Sequence, residues 1–516
     1  MLSRTVSGTP LGVDAILVEV EVDLNTGLQY FNTVGLPEGA VKESKVRVQS
    51  AIKNAGYEIP PKRITVNLAP ADIKKEGAAF DLPIAIGILA AAQTIPIDAP
   101  SNYVILGELS LTGEIKPVRG VLPVAVAVKK HGYKGLIIPR INSGEAAVVK
   151  GLNVLPADSL GEVINFFNGA GEITPAEAQD ATATGDTAEY ADDFADVKGQ
   201  EHVKRAVEVA AAGGHNILMV GPPGSGKTML ARRIPSLLPP MSFEEAIQTT
   251  KVYSVVGMLK SGVPLITRRP FRAPHHTISD VGLIGGGSVP KPGEVSLAHN
   301  GVLFLDELPE FDKHVIEVLR QPIEDKEVTI SRSLMSLTYP ANIMLVAAMN
   351  PCPCGYAGDP WHQCTCTWQM VQKYRARISG PLLDRIDIHV EVPPMRYQEL
   401  CRGRDGESSA SIRERVHRAR SVQLDCFKKS RGVFCNAQMS SRMIRRHCAV
   451  DEASSALLEN VIDRLGMSAR AHDRILKVAR TIADLDQSTE IRPEHISEAI
   501  QYRTLDRARP NPCQNQ

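Results

Sequence analysis

The sequence has no excess of charge of either sign. Lysine and arginine total 58, and aspartate and glutamate also total 58, so the formal net charge is zero over 516 residues. This balance argues against a protein coated with positive charge, although it leaves room for a locally basic channel. Aromatic residues make up only 5% of the chain, and tryptophan occurs twice. The sequence lacks the stripe of basic and aromatic residues that is typical of OB and RRM nucleic-acid-binding domains.

Long apolar runs are also lacking, because no uninterrupted stretch reaches the length that spans a membrane. Near the N-terminus, residues 16–22 alternate apolar and acidic side chains, which predicts a strand and not a signal peptide. Nine cysteines, an odd number with four of them clustered, favour reduced cytoplasm and a metal site over disulfides. We therefore expect a cytoplasmic protein without a membrane partner, and its length predicts about three domains.

A glycine-rich sequence at 221–228 matches the phosphate-loop pattern. The apolar run 216–220 before it predicts a buried strand, and residues 229–233 after it predict a helix. In that context the backbone N–H groups of the loop close on phosphates, and the helix N-terminus adds partial positive charge. We predict that Lys227 contacts the β- and γ-phosphates of ATP and that Thr228 holds Mg²⁺. The predicted nucleotide-binding loop is Gly221, Pro222, Pro223, Gly224, Ser225, Gly226, Lys227 and Thr228.

A second motif, Gly-Val-Leu-Phe-Leu-Asp-Glu at 301–307, places two carboxylates after an apolar strand. We predict that Asp306 supports the Mg²⁺ ion and that Glu307 polarises the attacking water. The alternative is a chance glycine-rich turn combined with a chance acidic strand end. The order and context of the two motifs favour a nucleotide-hydrolysing site.

Composition divides the chain into four parts. Residues 1–168 alternate strand-like and helix-like segments, whereas 169–192 have the polar, Ala-rich composition of a linker. Residues 193–400 again alternate strands and helices, as a doubly wound α/β nucleotide-binding core would. Residues 401–516 show helical apolar spacing, clearest at 469–485, and predict an all-helical lid.

Six further stretches have a distinctive character. They are 269–276 (Arg-Pro-Phe-Arg-Ala-Pro-His-His), 285–288, 291–301, 350–355 (Asn-Pro-Cys-Pro-Cys-Gly), 379–387 (Ser-Gly-Pro-Leu-Leu-Asp-Arg-Ile-Asp) and 468–471 (Ser-Ala-Arg-Ala). Together they resemble the magnesium-chelatase-like AAA+ ATPases, specifically the competence-associated ComM/YifB branch. The resemblance covers nearly the whole chain and implies a hexameric ring.

The resemblance also implies three catalytic positions outside the two motifs. Asn350 resembles sensor 1, whose amide can orient the lytic water or the γ-phosphate. Arg385 resembles the arginine finger, which a neighbouring subunit supplies to stabilise charge on the γ-phosphoryl group. Arg470 resembles sensor 2, and Arg474 one turn further is the less favoured substitute. For each arginine the alternative role is an ordinary surface ion pair.

Residues 1–168 resemble a Lon-protease-like domain with a ribosomal-protein-type α+β fold. The matching stretches are 75–81 and 111–120, and active Lon-type enzymes add a serine nucleophile and a lysine base at fixed distances from them. In this chain those positions are Ala79 and Val124. Alanine offers no nucleophile and valine accepts no proton, so we predict an inactive domain. Its basic residues could contact DNA or simply form a solvated face; they are Lys42, Lys45, Arg47, Lys62 and Arg63.

Four cysteines lie within residues 352–366, as two Cys-x-Cys pairs. Zn²⁺ favours tetrahedral thiolate sites, so we predict a structural zinc knuckle formed by Cys352, Cys354, Cys364 and Cys366. His362 could replace one ligand, and buried free thiols or a redox-labile loop are the other interpretations. Four thiolates leave no open position for water, which disfavours a catalytic zinc.

Two insertions of this clade face the ring pore. The first has its tip at 282–294, which includes Lys291, and the second is a strand–turn–strand hairpin from Lys326 to Leu345 with Arg332 at its turn. Contacts of such cations with a phosphate backbone give affinity without reading sequence. Residues 371–448 add a local excess of basic over acidic residues.

The two motifs predict a Mg²⁺-dependent ATPase, and the resemblance implies that it is a hexameric DNA motor. The resemblance implies a helicase that promotes branch migration on single-stranded, forked or branched DNA during recombination and natural transformation. The alternatives are a motor subunit of a magnesium chelatase, a protein-remodelling machine and an ATP-gated assembly platform. The Lon-like domain and the cysteines disfavour the first, Ala79 and Val124 disfavour peptidase chemistry, and Glu307 disfavours a scaffold.

Overall fold

The computed structural model describes residues 1–36, 39–75, 77–177, 192–260, 262–332, 335–394, 406–430, 432–465 and 468–503. The described residues form two compact units. The first comprises those within 1–187, 242–267 and 331–339, and the second comprises those within 188–241, 268–330 and 340–516. The first unit thus includes two stretches from the region expected to form the ATPase core. Most of the predicted linker, 178–191, lies outside the described residues.

A seven-stranded mixed sheet forms the centre of the first unit, in the order β3-β4-β2-β1-β5-β8-β9. The strands of this sheet are β1 (Leu2–Leu11), β2 (Asp14–Asn25), β3 (Tyr30–Val34), β4 (Arg63–Ala69), β5 (Tyr103–Ile105), β8 (Gly135–Pro139) and β9 (Val154–Ala157). Strands β1, β2 and β4 pair antiparallel, whereas β5, β8 and β9 are parallel. A separate small hairpin joins β6 (Glu108–Leu109) to β7 (Ile115–Lys116).

Side-chain alternation explains how β2 lies in this sheet. Val18, Val20, Val22 and Leu24 are buried, and Glu19 between them is exposed, as a strand with one core-facing side requires. Helix α2 is apolar on all sides and every one of its residues is buried, which places it inside the unit. The helices of this part are α1 (Gly39–Asn54), α2 (Asp81–Ala91), α3 (Val121–His131), α4 (Ser143–Ala147) and α5 (Leu160–Phe167).

The second unit contains a five-stranded parallel sheet in the order β11-β14-β17-β10-β18. Its strands are β10 (Ile217–Val220), β11 (Phe271–Arg272), β14 (Val302–Leu305), β17 (Met344–Met349) and β18 (Ile388–Glu391). Every residue of β10, β14 and β17 is buried, as continuous apolar strands of a parallel sheet should be. Helices α6 (Glu201–Gly213) and α7 (Lys227–Leu237) precede and follow β10.

Helix α8 (Phe243–Val256) follows α7 in the chain but belongs to the first unit, where it packs against α3. The Gly120 N–H at the start of α3 donates to the Ser254 carbonyl at 3.1 Å, and the Ser254 hydroxyl donates to the buried Glu145 carboxylate. Lys251 also pairs with Asp14 at 2.8 Å. Three polar contacts therefore hold α8 to the N-terminal part of the chain.

The two predicted insertions contain short paired strands. Helix α9 (Asp280–Ile284) leads into β12 (Gly285–Gly286), which pairs with β13 (Lys291–Pro292) before α10 (Glu294–Leu297). Strand β15 (Glu327–Arg332) pairs with β16 (Met335–Pro340), so the predicted pair of strands is confirmed. The prediction that Arg332 lies in the turn is wrong, because Arg332 is still part of β15. The prediction that the second strand continues to Leu345 is wrong. Pro340 lacks an N–H group and ends the ladder, and Met344 already belongs to β17.

The C-terminal region is helical, as predicted. Its helices are α15 (Ser409–Phe427), α16 (Ser441–His447), α17 (Glu452–Leu465), α18 (Ala469–Leu485) and α19 (Pro493–Gln501). Four shorter helices precede this region in the chain: α11 (Lys313–Glu317), α12 (Arg320–Asp325), α13 (Trp368–Arg375) and α14 (Gly380–Leu383). The chain is thus a mixed α/β protein with a parallel sheet and a helical C-terminal region. Across the described residues, no helix combines the length and the apolar composition needed to cross a membrane.

Candidate active site

The glycine-rich loop leaves the carboxyl end of β10 and enters α7, as predicted. Gly224 and Gly226 have φ angles of +76° and +89°, a left-handed conformation that favours glycine. At Gly221 a Cβ atom would lie 2.2 Å from the Val392 carbonyl oxygen, so only glycine fits there. Glycine at these positions therefore allows the tight backbone turn of the loop, which residues with a Cβ atom would prevent.

Lys227 lies at the first position of α7 and is almost fully buried. Its ammonium donates to the carbonyls of Gly221 at 2.7 Å and Pro222 at 2.8 Å, inside the loop. Burial lowers the pKa of the Lys227 ammonium, and the nearby charges of Asp306 and Glu307 act in the opposite direction. The cation thus lies where the loop would bind phosphate oxygens.

The segments that follow β10 and β14 are in contact through the side chains of Thr228 and Asp306. The Thr228 hydroxyl donates to Asp306 Oδ2 at 2.7 Å, and the other carboxylate oxygen of Asp306 accepts the Glu307 N–H at 3.0 Å. A hydroxyl and a carboxylate are the hard oxygen ligands that Mg²⁺ prefers, so this pair fits the ion. Glu307 has a φ of +52°, and its side chain is exposed beside the pair.

Asn350 follows the last residue of β17, the strand between β14 and β10. Its Oδ1 atom lies 3.4 Å from Lys227 Nζ. The parallel sheet therefore brings the loop, the two carboxylates and this amide to one edge. Hydrogen bonds thus link Lys227 to Asn350, and link Asp306 to Thr228 and Glu307. None of these bonds includes Arg385 or Arg470.

His276 is a neighbour of the site that the sequence interpretation gave no role. Its Nδ1 atom lies 3.5 Å from Glu307 Oε2, and its ring lies 4.1 Å from the ring of His275. Both histidines follow β11, which pairs with β14. The His-His dipeptide was visible in the sequence, but only the strand order places it beside Glu307.

Arg385 is 8% exposed and is bound within its own chain. Its guanidinium forms an ion pair with Glu324 at 2.8 Å and donates to the Pro381 carbonyl at 2.7 Å. Its Nε atom is buried without a hydrogen-bond partner. Both terminal nitrogens of the guanidinium are thus bound within the chain, and the part of Arg385 in catalysis stays a prediction.

Arg470 is exposed on the first turn of α18, whose N-cap is Ser468. Arg474, the substitute one turn further, instead forms an ion pair with the buried Asp387. Burial alone would raise the pKa of the Asp387 carboxyl, but the charge of Arg474 and a bond from His215 hold it well below its usual range. Arg474 therefore has a structural role, and Arg470 remains the predicted sensor.

The four clustered cysteines converge as predicted. Their sulfur atoms all lie within 4.8 Å of one another, and the Cys352–Cys354, Cys354–Cys364 and Cys352–Cys364 sulfur distances are 3.3, 3.6 and 3.7 Å. A backbone hydrogen bond from Tyr356 lowers the pKa of the Cys354 thiol to about 6. His362, the possible replacement ligand, is bound to Asp359 at 3.3 Å instead. The cluster has the composition and spacing of a metal-binding site.

A cavity of about 550 Å³ adjoins the phosphate loop. Its lining includes Gly221 and Pro222 of the loop, Gln200 before α6, and residues 391–394, which begin at the last residue of β18. Gln200 Nε2 donates to the carbonyls of Ser225 and Pro393, each at 3.0 Å, and so ties the two sides together. This cavity has the size and position for the nucleoside of a nucleotide whose phosphates occupy the loop.

The predicted DNA-contacting residues Lys291 and Arg332 are both exposed. Lys291 lies in β13 and Arg332 ends β15, while the turn residues 333–334 lie outside the described residues.

In the N-terminal part, the expectation that Arg47 belongs to a free basic face is wrong. Its Nε donates to the buried Asp81 carboxylate at 2.6 Å, which makes it a structural ion pair. The side chain of Lys42 lies outside what the structure describes.

The two positions that replace the Lon-type serine and lysine lie in apolar surroundings. Val124 is 1% exposed, and Ala79 packs against the same hydrophobic cluster. Gly8 approaches Val124 so closely that a Cβ atom there would lie 2.6 Å from its Cγ1. A long lysine side chain would not fit at Val124 without displacing β1.

Comparison with known proteins gives consistent similarities along the chain. Residues 193–400 match the family described as "Magnesium chelatase, subunit ChlI", residues 20–142 match "Subunit ChlI of Mg-chelatase", and 406–503 match its C-terminal family. The chain is 46% identical to the competence protein ComM of Haemophilus influenzae, covering 98% of both chains. It is 45% identical to YifB of Escherichia coli, covering 96% of both. Lon protease 2 of Bacillus subtilis is 27% identical over 29% of this chain and 30% of its own.

Proposed function

This chain belongs to the ComM/YifB family of magnesium-chelatase-like AAA+ proteins, and from that premise we propose that it is a hexameric, ATP-driven DNA motor. In this proposal it acts as a helicase that promotes branch migration during homologous recombination and natural transformation. The relative named as a competence protein supports that setting, because the similarity extends over 98% of both chains.

ATP hydrolysis is supported above all by one observation, the 2.7 Å hydrogen bond between Thr228 and Asp306. It joins the phosphate loop to the acidic strand end and so brings both halves of a Mg²⁺ site together. Thr228 and Asp306 would hold the ion, which would neutralise charge on the phosphates. Lys227 would bind the β- and γ-phosphates.

The remaining residues would act on the attacking water and the γ-phosphate. Glu307 would accept a proton from the water, and Asn350, 3.4 Å from Lys227 Nζ, would orient the water or the γ-phosphate. In the hexamer the neighbouring subunit would supply Arg385, and Arg470 would come from the helical lid. Arg385 would then have to release its contacts with Glu324 and the Pro381 carbonyl, because its guanidinium is bound and buried within its own chain.

DNA would be moved by cations at the two insertions. Arg332 at the end of β15 and Lys291 in β13 are exposed, and each lies on a two-stranded element. Their contacts with phosphates would be independent of sequence, as a translocating motor requires.

The N-terminal Lon-like part would serve interaction or guidance of the substrate without cleaving peptides. Ala79 and Val124 supply neither a nucleophile nor a base, and they pack in one apolar cluster. This inference is independent of the ATPase assignment.

We further propose that the cysteine cluster holds a structural Zn²⁺ ion. Elemental analysis of the purified protein should find about one zinc per chain, because four convergent sulfur ligands satisfy its tetrahedral preference. Cys352→Ser should lose the metal, whereas Cys426→Ser, which alters an exposed cysteine outside the cluster, should retain it. A folded wild-type protein free of metal would contradict the assignment.

ATP-dependent processing of a synthetic Holliday junction tests the motor function. We expect branch-migration products with the wild type and ATP, and none with Lys227→Ala, which loses the phosphate-binding cation. If the wild type neither processes the junction nor shows faster ATP hydrolysis with forked or single-stranded DNA, the DNA motor is wrong. ATPase activity measured in parallel without DNA keeps the two parts of the proposal separate.

A further inference from the structure

The segment that carries the cysteines also forms part of the cavity beside the phosphate loop. Residues 357–361 line this cavity together with Gly221 and Pro222 of the loop. The segment begins two residues after Asn350, so it continues directly from the strand that ends at the catalytic edge. A predicted metal site and a predicted nucleotide site thus share one stretch of chain.

The cysteine segment is in direct contact with the loop. Gly355 has a φ of +89°, and a Cβ atom there would lie 2.7 Å from Pro223 Cδ. The Cys352 sulfur accepts the Ala357 N–H at 3.3 Å, which fixes the turn that leads into the cavity wall. The position of the wall is therefore set by the cysteine cluster on one side and by the loop on the other.

Trp361 lies on this wall and is 53% exposed. Its backbone is held by Asp359, whose Oδ1 accepts the N–H groups of Trp361 and His362, each at 2.8 Å. The His362 ring lies 4.7 Å from the ring of Tyr356, which adds a second support. Tryptophan occurs only twice in this chain, and Trp361 is half-exposed at the cavity that Gly221 and Pro222 also line.

We propose that Trp361 contacts the base of the bound nucleotide and that the cysteine cluster positions it there. A flat aromatic ring that lines a cavity of about 550 Å³ suits a planar base, which stacking stabilises without requiring particular hydrogen bonds. The proposal rests on the ATP-binding function proposed above and adds a residue to that site. It also makes the affinity for ATP depend on whether the cysteine cluster is intact.

Tryptophan emission gives the first test, because the chain has two tryptophans and each can be removed separately. Trp368→Phe leaves Trp361 as the single emitter, and ADP or ATP should quench or shift its emission. Trp361→Phe leaves Trp368, which is 39% exposed and does not line the cavity, and its emission should not change with nucleotide. Unchanged emission from Trp361 at saturating nucleotide would overturn the contact.

Affinity measurements separate the base from the phosphates. Trp361→Ala should weaken ATP binding about tenfold, from the usual strength of base–aromatic stacking, and Trp368→Ala should leave it unchanged. Tripolyphosphate has no base, so its binding should be the same in Trp361→Ala and the wild type. If Trp361→Ala loses affinity for ATP and for tripolyphosphate equally, Trp361 does not contact the base. The same conclusion follows if the variant keeps its affinity for ATP and loses only its self-association.

The cluster's part is tested with Cys364→Ser, which alters a cysteine remote in sequence from Asn350. This variant should show weaker ATP binding and a smaller nucleotide response of Trp361 emission, with tripolyphosphate binding retained. Unchanged ATP affinity would show that the cluster does not position Trp361. If the wild type binds neither ATP nor tripolyphosphate, the nucleotide-binding function itself is wrong, and this inference is wrong with it.

Discussion

Glu307→Gln should bind ATP as the wild type does and hydrolyse it about 10²–10⁴-fold more slowly. The amide keeps the size of the side chain but cannot accept a proton from water. Binding should persist because Lys227 keeps its contact with the Gly221 carbonyl and Thr228 keeps its hydrogen bond to Asp306. Single-turnover hydrolysis, measured together with equilibrium ATP binding, distinguishes the two effects.

Glu310→Gln is the matched control for this variant. Glu310 lies three residues further on in the same turn, where its exposed carboxylate pairs with Arg377 at 2.8 Å. Its replacement should leave hydrolysis unchanged. Wild-type turnover by Glu307→Gln, or an equal loss in both variants, would remove Glu307 from its proposed role.

Arg385→Ala should retain ATP binding and lose hydrolysis on the order of 10³-fold, the effect expected of an arginine finger. The structure offers a competing explanation, since Arg385 pairs with Glu324 at 2.8 Å and its loss could disturb the fold. Glu324→Gln breaks the same ion pair and keeps the arginine. It should hydrolyse ATP normally if the finger acts on the nucleotide.

Mixed rings show whether Arg385 acts from the neighbouring subunit. Lys227→Ala subunits lack the phosphate-binding cation, and Arg385→Ala subunits lack the finger, so neither protein alone should turn over. When the two are mixed, some sites combine an intact Lys227 with an intact Arg385, and part of the activity should return. Failure of any activity to return would argue that Arg385 acts within its own chain.

Much of the nucleotide site was predictable because its signals are local. The apolar run before Gly221 requires a buried strand, and the run before Asp306 requires another. Parallel strands meet at one edge, so the contact of Thr228 with Asp306 follows from the pattern. The helix at 469–485 was equally clear, because its apolar spacing repeats over several turns.

Other features depend on contacts between distant parts of the chain. His276 reaches Glu307 because β11 pairs with β14, and no local pattern encodes that pairing. Arg47 looked like one of several surface cations until the fold placed Asp81 beside it. Arg474 had the spacing of a catalytic arginine, yet it forms an ion pair with the buried carboxylate of Asp387. In each case the residue type was evident and its partner was not.

The course of the chain after α7 determines where the protein can be divided into fragments. Helix α7, which begins in the phosphate loop, is followed in the chain by α8. Contacts with Gly120, Glu145 and Asp14 hold α8 in the first unit. Cutting the gene once between the two units would therefore separate α8 from the surface it packs on. Separating the two units as intact fragments would therefore need more than one cut in the chain.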